Sequence, residues 1–174
     1  MVRWGTPVMH RPCRPVEKFD DELAELVADM VATMYAADGV GLAANQIGVA
    51  LAVFVFDCPG ADGKGGDVGV VCNPVLQVPE GKERRLVESD EGCLSLPGAF
   101  VPCARADYAE VTGVDHHGQP VRYAGSGLVA RCLQHESDHL VGTVFGDKLS
   151  TKVRRKLYKE AASVADDFPP GWPA

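Results

Sequence analysis

The sequence is short of the features that mark a special environment. No apolar run in its 174 residues approaches the roughly 18 needed to cross a membrane, and the first residues lack the charged-then-apolar pattern of a secretory leader. A cytoplasmic protein with no membrane contact is expected. Cys13, Cys58, Cys72, Cys93, Cys103 and Cys132 are scattered without a C-x-x-C pair, which excludes a zinc ribbon and a thioredoxin-like centre; most should be small buried apolar residues. Positive charge is also scarce. Lys and Arg number 17 against 24 Asp and Glu, a net charge of -7 that argues against direct nucleic-acid binding. The one basic cluster, Lys152-Val153-Arg154-Arg155-Lys156, reads as the polar face of a terminal helix. There is no internal repeat and no interdomain linker, and the Lys-Ser/Thr of a phosphate loop is missing.

What is present suits one domain over 1–174, long enough to bury about 70% of its unfolded surface without disulfides. Residues 1–16, rich in Pro and Arg, read as an extended surface arm. Asp20-Asp21-Glu22 opens a helix in which Leu23, Leu26, Val27, Met30, Val31 and Met34 recur at 3–4 spacing as a core stripe, stopped at Gly39. Strands are expected over 51–56, over 69–78 with an interruption at Asn73-Pro74, over 84–88, and as a hairpin of 108–114 with 121–124; 59–67 is a Gly-rich loop. The hairpin turn Asp115-His116-His117-Gly118-Gln119 leaves its histidines solvated. A charged helix over 152–162 and a loose tail over 165–174 complete the chain. Strands grouped between helices predict an α+β fold rather than βαβ units.

The chemistry is concentrated in Gln134-His135-Glu136-Ser137-Asp138-His139-Leu140. On a helix advancing about 100° per residue, His139 lies about 40° round from His135, so both rings can reach one metal ion. Glu136 falls about 60° beyond His139, where a general base for a metal-activated water belongs, as in the H-E-x-x-H hydrolases. Leu128, Arg131 and Cys132 project onto the same arc, whereas Val129 and Leu133 point elsewhere and can pack. Gly125-Ser126-Gly127 supplies a start with Ser126 as a plausible N-cap. Two histidines do not make a metal site, and a third ligand is needed. Cys93, in Glu91-Gly92-Cys93-Leu94-Ser95-Leu96-Pro97-Gly98, lies in a turn region where a thiolate could complete the set, though 41 residues of separation prove nothing. Residues 39–48, with three glycines in ten, let backbone approach another element or a ligand. Gln46 there can donate into a site or brace the loop.

Residues 39–48, 91–95 and 134–139 resemble, in order, the motifs G-x-G-L-A-A-x-Q, E-G-C-L-S and H-E-x-D-H of the bacterial peptide deformylases. The resemblance runs more loosely from Gly5-Thr6-Pro7-Val8 to Leu149. It implies small antiparallel or mixed sheets packed around the H-E-x-x-H helix, and a hydrolase that removes the N-formyl group from the formylmethionine of new polypeptides, releasing formate. Cys93, His135 and His139 would hold one divalent ion per chain, Fe(II) with zinc or nickel as substitutes, with water in the open fourth position. Glu136 would take and return protons, while Gln46 and the backbone N–H of Leu94 would stabilise the oxyanion. Val40, Gly41, Leu128, Arg131 and Cys132 would line the substrate site, with Val40, Leu128 and Cys132 around the methionine side chain and Cys132 alternatively plain core. Val40 and Gly98-Ala99 could offer backbone hydrogen bonds.

Expected partners are formylated nascent peptides and the ribosome exit region, met by a monomer. Arg131 departs from the usual aliphatic residue; it should lie at the cleft rim, touching substrate or paired with an acid, or else snorkel to solvent. Phe100 replaces an arginine that some relatives place beside the peptide. Glu91 and Arg105 are candidates to brace the ligands, and Asp138 reads most simply as a solvated carboxylate. The alternatives are a hydrolase of another formylated amide, a different metallopeptidase, or a non-catalytic metal or redox-sensing module built on Cys93. The last would leave Glu136 and Gln46 without purpose.

Overall fold

The computed structural model describes residues 1–59 and 68–173; apart from Pro59, the loop expected at 59–67 lies outside them. Helix α1 (Asp21–Ala36) begins where the Asp20 carboxylate accepts from Leu23 N–H at 3.2 Å, and it buries Leu23, Val27, Met30 and Met34. Strands β1 (Gly41–Ala43), β2 (Val53–Phe56), β3 (Gly69–Gln77), β6 (Tyr108–Val114) and β7 (Pro120–Ser126) form an antiparallel sheet in the order β1-β2-β3-β6-β7. Strands β4 (Leu86–Cys93) and β5 (Leu96–Ala106) pair only with each other. Helix α2 (Gly127–Leu140) follows β7 directly, and α3 (Thr151–Ser163) packs on β5.

The sheet is covered on both faces, which explains the unbroken apolar run of β2. Val53 and Val55 face α1 in one core cluster with Met30 and Met34. Phe54 and Phe56 face the other way, into a cluster with Ala130 and Leu133 of α2. The interruption read at Asn73-Pro74 is a register shift in β3 between Cys72 and Val75. Asn73 takes a positive φ of 53° there and exchanges two hydrogen bonds with the Val16 backbone, Oδ1 accepting at 2.8 Å and Nδ2 donating at 2.9 Å. Hydrophobic burial and this side-chain clasp hold the start of the chain to the sheet.

Several expectations need correction. The arm over 1–16 is not simply laid on the surface: Trp4, Met9 and Val16 are buried, and Trp4 stacks on Phe145 with ring centroids 5.6 Å apart. Residues 165–173 are not loose but fold back over the β4–β5 hairpin, with Trp172 N–H donating to the Pro169 carbonyl at 3.0 Å. Ser126 precedes α2 without a side-chain capping bond, and Cys93 is a buried strand end rather than a turn residue. Strand β5 was not expected at all, because Pro97, Gly98 and Pro102 read as breakers. In a two-stranded ribbon one edge of each strand is free, and such edge strands are where proline is tolerated.

Candidate metal centre and active-site cleft

Helix α2 supplies His135 and His139 one turn apart, and their Nε2 atoms lie 3.0 Å from each other. The hairpin brings in the third group from its tip, where Cys93 ends β4 with Sγ 3.4 Å from His139 Nε2. These three are the one cluster among the described residues able to hold a metal ion, with ligand atoms all within 4.8 Å of one another. His116 and His117 remain together in their turn, away from it, with the Asp115 carboxylate accepting from His117 and Gln119 N–H.

The donor set fits a divalent transition ion. His135 Nδ1 lies 2.8 Å from Glu91 Oε1, so with Glu91 ionised the proton sits on Nδ1 and Nε2 presents its lone pair toward Cys93 and His139. Burial opposes charge on His135, yet hydrogen bonds to Cys93 and Glu91 outweigh it and raise its proton affinity well above histidine's ordinary range. At His139 the balance is the reverse: burial and the neighbouring His135 hold its proton affinity well below histidine's ordinary range. One sulfur and two imidazole nitrogens suit first-row metals such as iron, zinc or nickel. Asn45 fixes the far end of α2 by donating from Nδ2 to the His139 carbonyl at 2.7 Å. It was not singled out from sequence, where nothing distinguishes it from a loop asparagine.

Behind His135 lies an ion-pair network. Glu91, only 3% exposed, accepts from Arg105 Nε at 3.0 Å and Nη2 at 2.6 Å, and from Arg131 Nη1 at 2.6 Å. Burial penalises its carboxylate, but His135 and Arg105 outweigh that and hold its pKa well below the usual carboxylate range. Arg105 also pairs with Asp138 at 2.5 Å, and Lys148 reaches the other Asp138 oxygen at 3.1 Å. Asp138 is thus 14% exposed and doubly paired, not the solvated carboxylate expected; its partners come from β5 and from the segment after α2, invisible to helix periodicity. Arg131 lies against the cleft wall with its guanidinium committed to Glu91 and to the Cys103 and Val87 carbonyls.

Glu136 is buried, and burial pushes its carboxyl up to about 7. Among the described residues its Oε2 has no hydrogen-bond partner, an orphaned acceptor in the cleft lining. Gln46 both braces and points in: Oε1 accepts from Ala43 N–H at 2.8 Å while Nε2 lies 3.6 Å from Cys93 Sγ and 3.5 Å from Ser95 Oγ. The cleft above holds about 450 Å³ and is walled by Val40, Gly41, Leu128 and Cys132 on one side and by the hairpin with Leu94, Gly98 and Ala99 on the other. The Val40 carbonyl already accepts from Asp57 N–H at 3.0 Å, with Cys132 Sγ 3.5 Å away. At the mouth stand Phe100, 61% exposed, and two residues sequence reasoning passed over, Phe168 and Trp172.

Gly41 makes room for Glu136. A Cβ at position 41 would come within 2.6 Å of Glu136 Oε1 and 2.7 Å of Cys132 Sγ. Gly41→Ala is therefore expected to displace the carboxylate and cut turnover about 10²-fold, a typical penalty for misplacing a catalytic group by roughly 1 Å. Steady-state rates alongside a melting curve check this; a rate within twofold of wild type would mean that Glu136 has slack to move.

A family described as polypeptide deformylase matches residues 1–155. Among curated proteins, Peptide deformylase 1 of Streptomyces avermitilis is 52% identical over 165 residues, 95% of this chain and 76% of that protein. The peptide deformylase of Mycolicibacterium paratuberculosis is 48% identical over 91% of this chain and 85% of its own length. Among solved structures, a peptide deformylase from Legionella pneumophila superposes with a TM-score of 0.83 at 37% identity, covering 95% of this chain and 94% of that one. The Synechococcus elongatus enzyme, solved in complex with actinonin, gives 0.81 at 35% identity over 93% and 83% of the two chains.

Proposed function

This chain belongs to the polypeptide deformylase family, metal-dependent hydrolases that release formate from the N-formylmethionine of new polypeptides, and on that premise we propose which of its residues perform each part of the reaction. The observation that carries the assignment is the convergence of Cys93 Sγ and the two histidine Nε2 atoms, with Glu136 next to His135 on the same helix and its Oε2 unpartnered among the described residues. Cys93, His135 and His139 would hold the ion, which we assign as Fe(II), with zinc or nickel able to replace it on the same donors. When bound, such an ion supplies Lewis acidity, polarising a carbonyl and bringing the pKa of water from 15.7 to about 7.

The remaining work falls to the protein. Glu136 Oε2 would accept a proton from the attacking water and return it to the departing amine. Gln46 Nε2, held by its own Oε1 contact to Ala43, would donate to the oxygen that gains charge on the formyl carbon, together with the Leu94 N–H at the hairpin tip. Val40, Leu128 and Cys132 would bury the methionine side chain, with Gly41 giving close approach and Arg131 closing the wall through Glu91. Glu91 and Arg105 would keep His135 in its ligating tautomer.

We further propose that the enzyme acts as a monomer on formylated chains leaving the ribosome. Among the described residues no helix is long and apolar enough to cross a membrane; a cytoplasmic location is part of the proposal, since that is where the proposed substrates begin.

The test is formate release from formyl-Met-Ala by enzyme loaded with ferrous iron without oxygen. Chelation is expected to abolish release and ferrous iron to restore it, with acetyl-Met-Ala untouched throughout. Cleavage of the acetyl peptide at a similar rate would favour a broader amidohydrolase. Full activity after verified metal removal would sink the ligand assignment.

A further inference from the structure

Residues 164–172 lie beyond the stretch that matches the family, yet they help to build the cleft. After α3 the chain turns through Ala165–Asp167 and sets the Phe168 ring on the hairpin. Gly98, at φ 76°, is bare there: a Cβ would meet Phe168 Cε2 and Val164 Cγ2 at 2.6 Å each. The Phe168 ring then holds Trp172 edge-on, with ring centroids 5.0 Å apart and an interplanar angle of 87°. Arg3, from the opposite end of the chain, clamps this fold. Its Nη2 donates to the Phe168 carbonyl at 2.6 Å, and its guanidinium carbon lies 5.8 Å from the Trp172 ring centre. Both aromatic side chains are only half-buried, and both face the same cleft as Cys93, His135 and Glu136.

We infer that Phe168 and Trp172 form a specificity wall for the peptide residues that follow the formylmethionine, selecting aromatic or large aliphatic side chains there. The inference rests on the deformylase reading above and adds a subsite to it. The formyl group must reach the ligand cluster at the hairpin tip, and a bound peptide advances about 3.3 Å per residue. The residues after the formylmethionine must lie further along the same cleft, whose lining includes Pro97, Gly98 and the exposed Phe100 of β5 together with the two tail rings. Three aromatic rings line that cleft with the uncharged Pro97, Gly98 and Ala99; of its charged lining residues Glu91 and Arg131 pair with each other, and Asp38 and Asp90 are both acidic. A polar or charged downstream residue set against those rings would lose hydration, whereas an aromatic one would stack. Arg3 is a positioning residue, acting through the tail.

The test uses iron-loaded enzyme and three peptides, formyl-Met-Ala-Ser, formyl-Met-Phe-Ser and formyl-Met-Ala-Phe. Wild type should favour the better aromatic peptide over formyl-Met-Ala-Ser by about 10-fold in kcat/KM, expressed in KM. Trp172→Ala should bring that ratio to about 2 by raising KM for the aromatic peptide. Arg3→Gln, which leaves both rings in the chain, should narrow the ratio in the same direction. A wild type without the preference overturns the inference, as does a ratio that survives Trp172→Ala or an equal loss on all three peptides. In each of those cases formate is still released, so the deformylase reading stands. Absence of release from every formyl peptide by wild type would instead remove that reading and the inference with it.

Discussion

Glu136→Gln is expected to lower kcat/KM for formyl-Met-Ala by about 10³-fold, within the 10²–10⁴ range of a positioned general acid–base group. Metal content should be unchanged and the melting temperature should stay within a few degrees. The substitution keeps the side chain's volume beside Gly41 and Cys132 and removes only its ability to carry a proton. Loss of fold is not expected, because Glu136 makes no ion pair among the described residues and its Oε2 has no hydrogen-bond partner. An unsatisfied buried acceptor costs stability, on the order of 1–3 kcal/mol. Such a group is retained when a partner arrives during turnover. Burial that brings the carboxyl up to about 7 also suits a residue that must both accept and release a proton near neutrality. Formate release within tenfold of wild type, with metal retained, would remove Glu136 from the proposed role.

The parts of this site that could be read from the chain are those set by local periodicity. His135, Glu136 and His139, and the arc of Leu128, Arg131 and Cys132 beside them, follow from 3.6 residues per turn once the segment is helical, and the structure sets all of them in the lining of one cleft except His139, which is fully buried beside Cys93 and His135. The two-sided burial of β2 likewise leaves a mark, an apolar run without alternation. What escaped depends on contacts between distant segments. Cys93 could be named as a third ligand but not placed by spacing, because it reaches the histidines only where the β4–β5 hairpin folds its tip against α2, and β5 itself, which carries Pro97 and Pro102, went unseen. Asp138 looked solvated because Arg105 and Lys148 come from outside its helix. The tail looked loose because Pro169-Pro170-Gly171 offers no periodicity; its order comes from Arg3, 165 residues away. Phe168 and Trp172, two bulky rings in an otherwise loop-like stretch, were the available signal that something nearby covers them.

Glu91→Ala should be the most destabilising single change near the site, lowering stability by about 3–5 kcal/mol, as expected when one member of a buried ion pair is removed. Arg105 is 5% exposed and Arg131 11%, and Glu91 is the carboxylate that both contact. Asp138 would still face Arg105, but Arg131 would keep only backbone carbonyls. For a domain of this size that loss corresponds to a fall in melting temperature of roughly 6–20 °C. His135 would also lose the acceptor that fixes its tautomer, so metal affinity should drop about 10–100-fold. The pH dependence separates charge from shape. Because the folded state holds the Glu91 pKa well below its usual range, its contribution is complete above the unfolded carboxylate value near 4 and is lost only as pH falls through the folded value. The stability gap between wild type and Glu91→Gln should therefore be largest from about pH 5 to 6, shrink below about pH 4 as Glu91 is protonated, and shrink again above about pH 6.5 as the His135 proton that Glu91 helps to hold is lost. Urea unfolding of both metal-free proteins across that range would read it directly. A gap below 1 kcal/mol at pH 7 would mean that the two guanidiniums find water or Asp138 in place of Glu91, and the hairpin would then be held to α2 by packing alone.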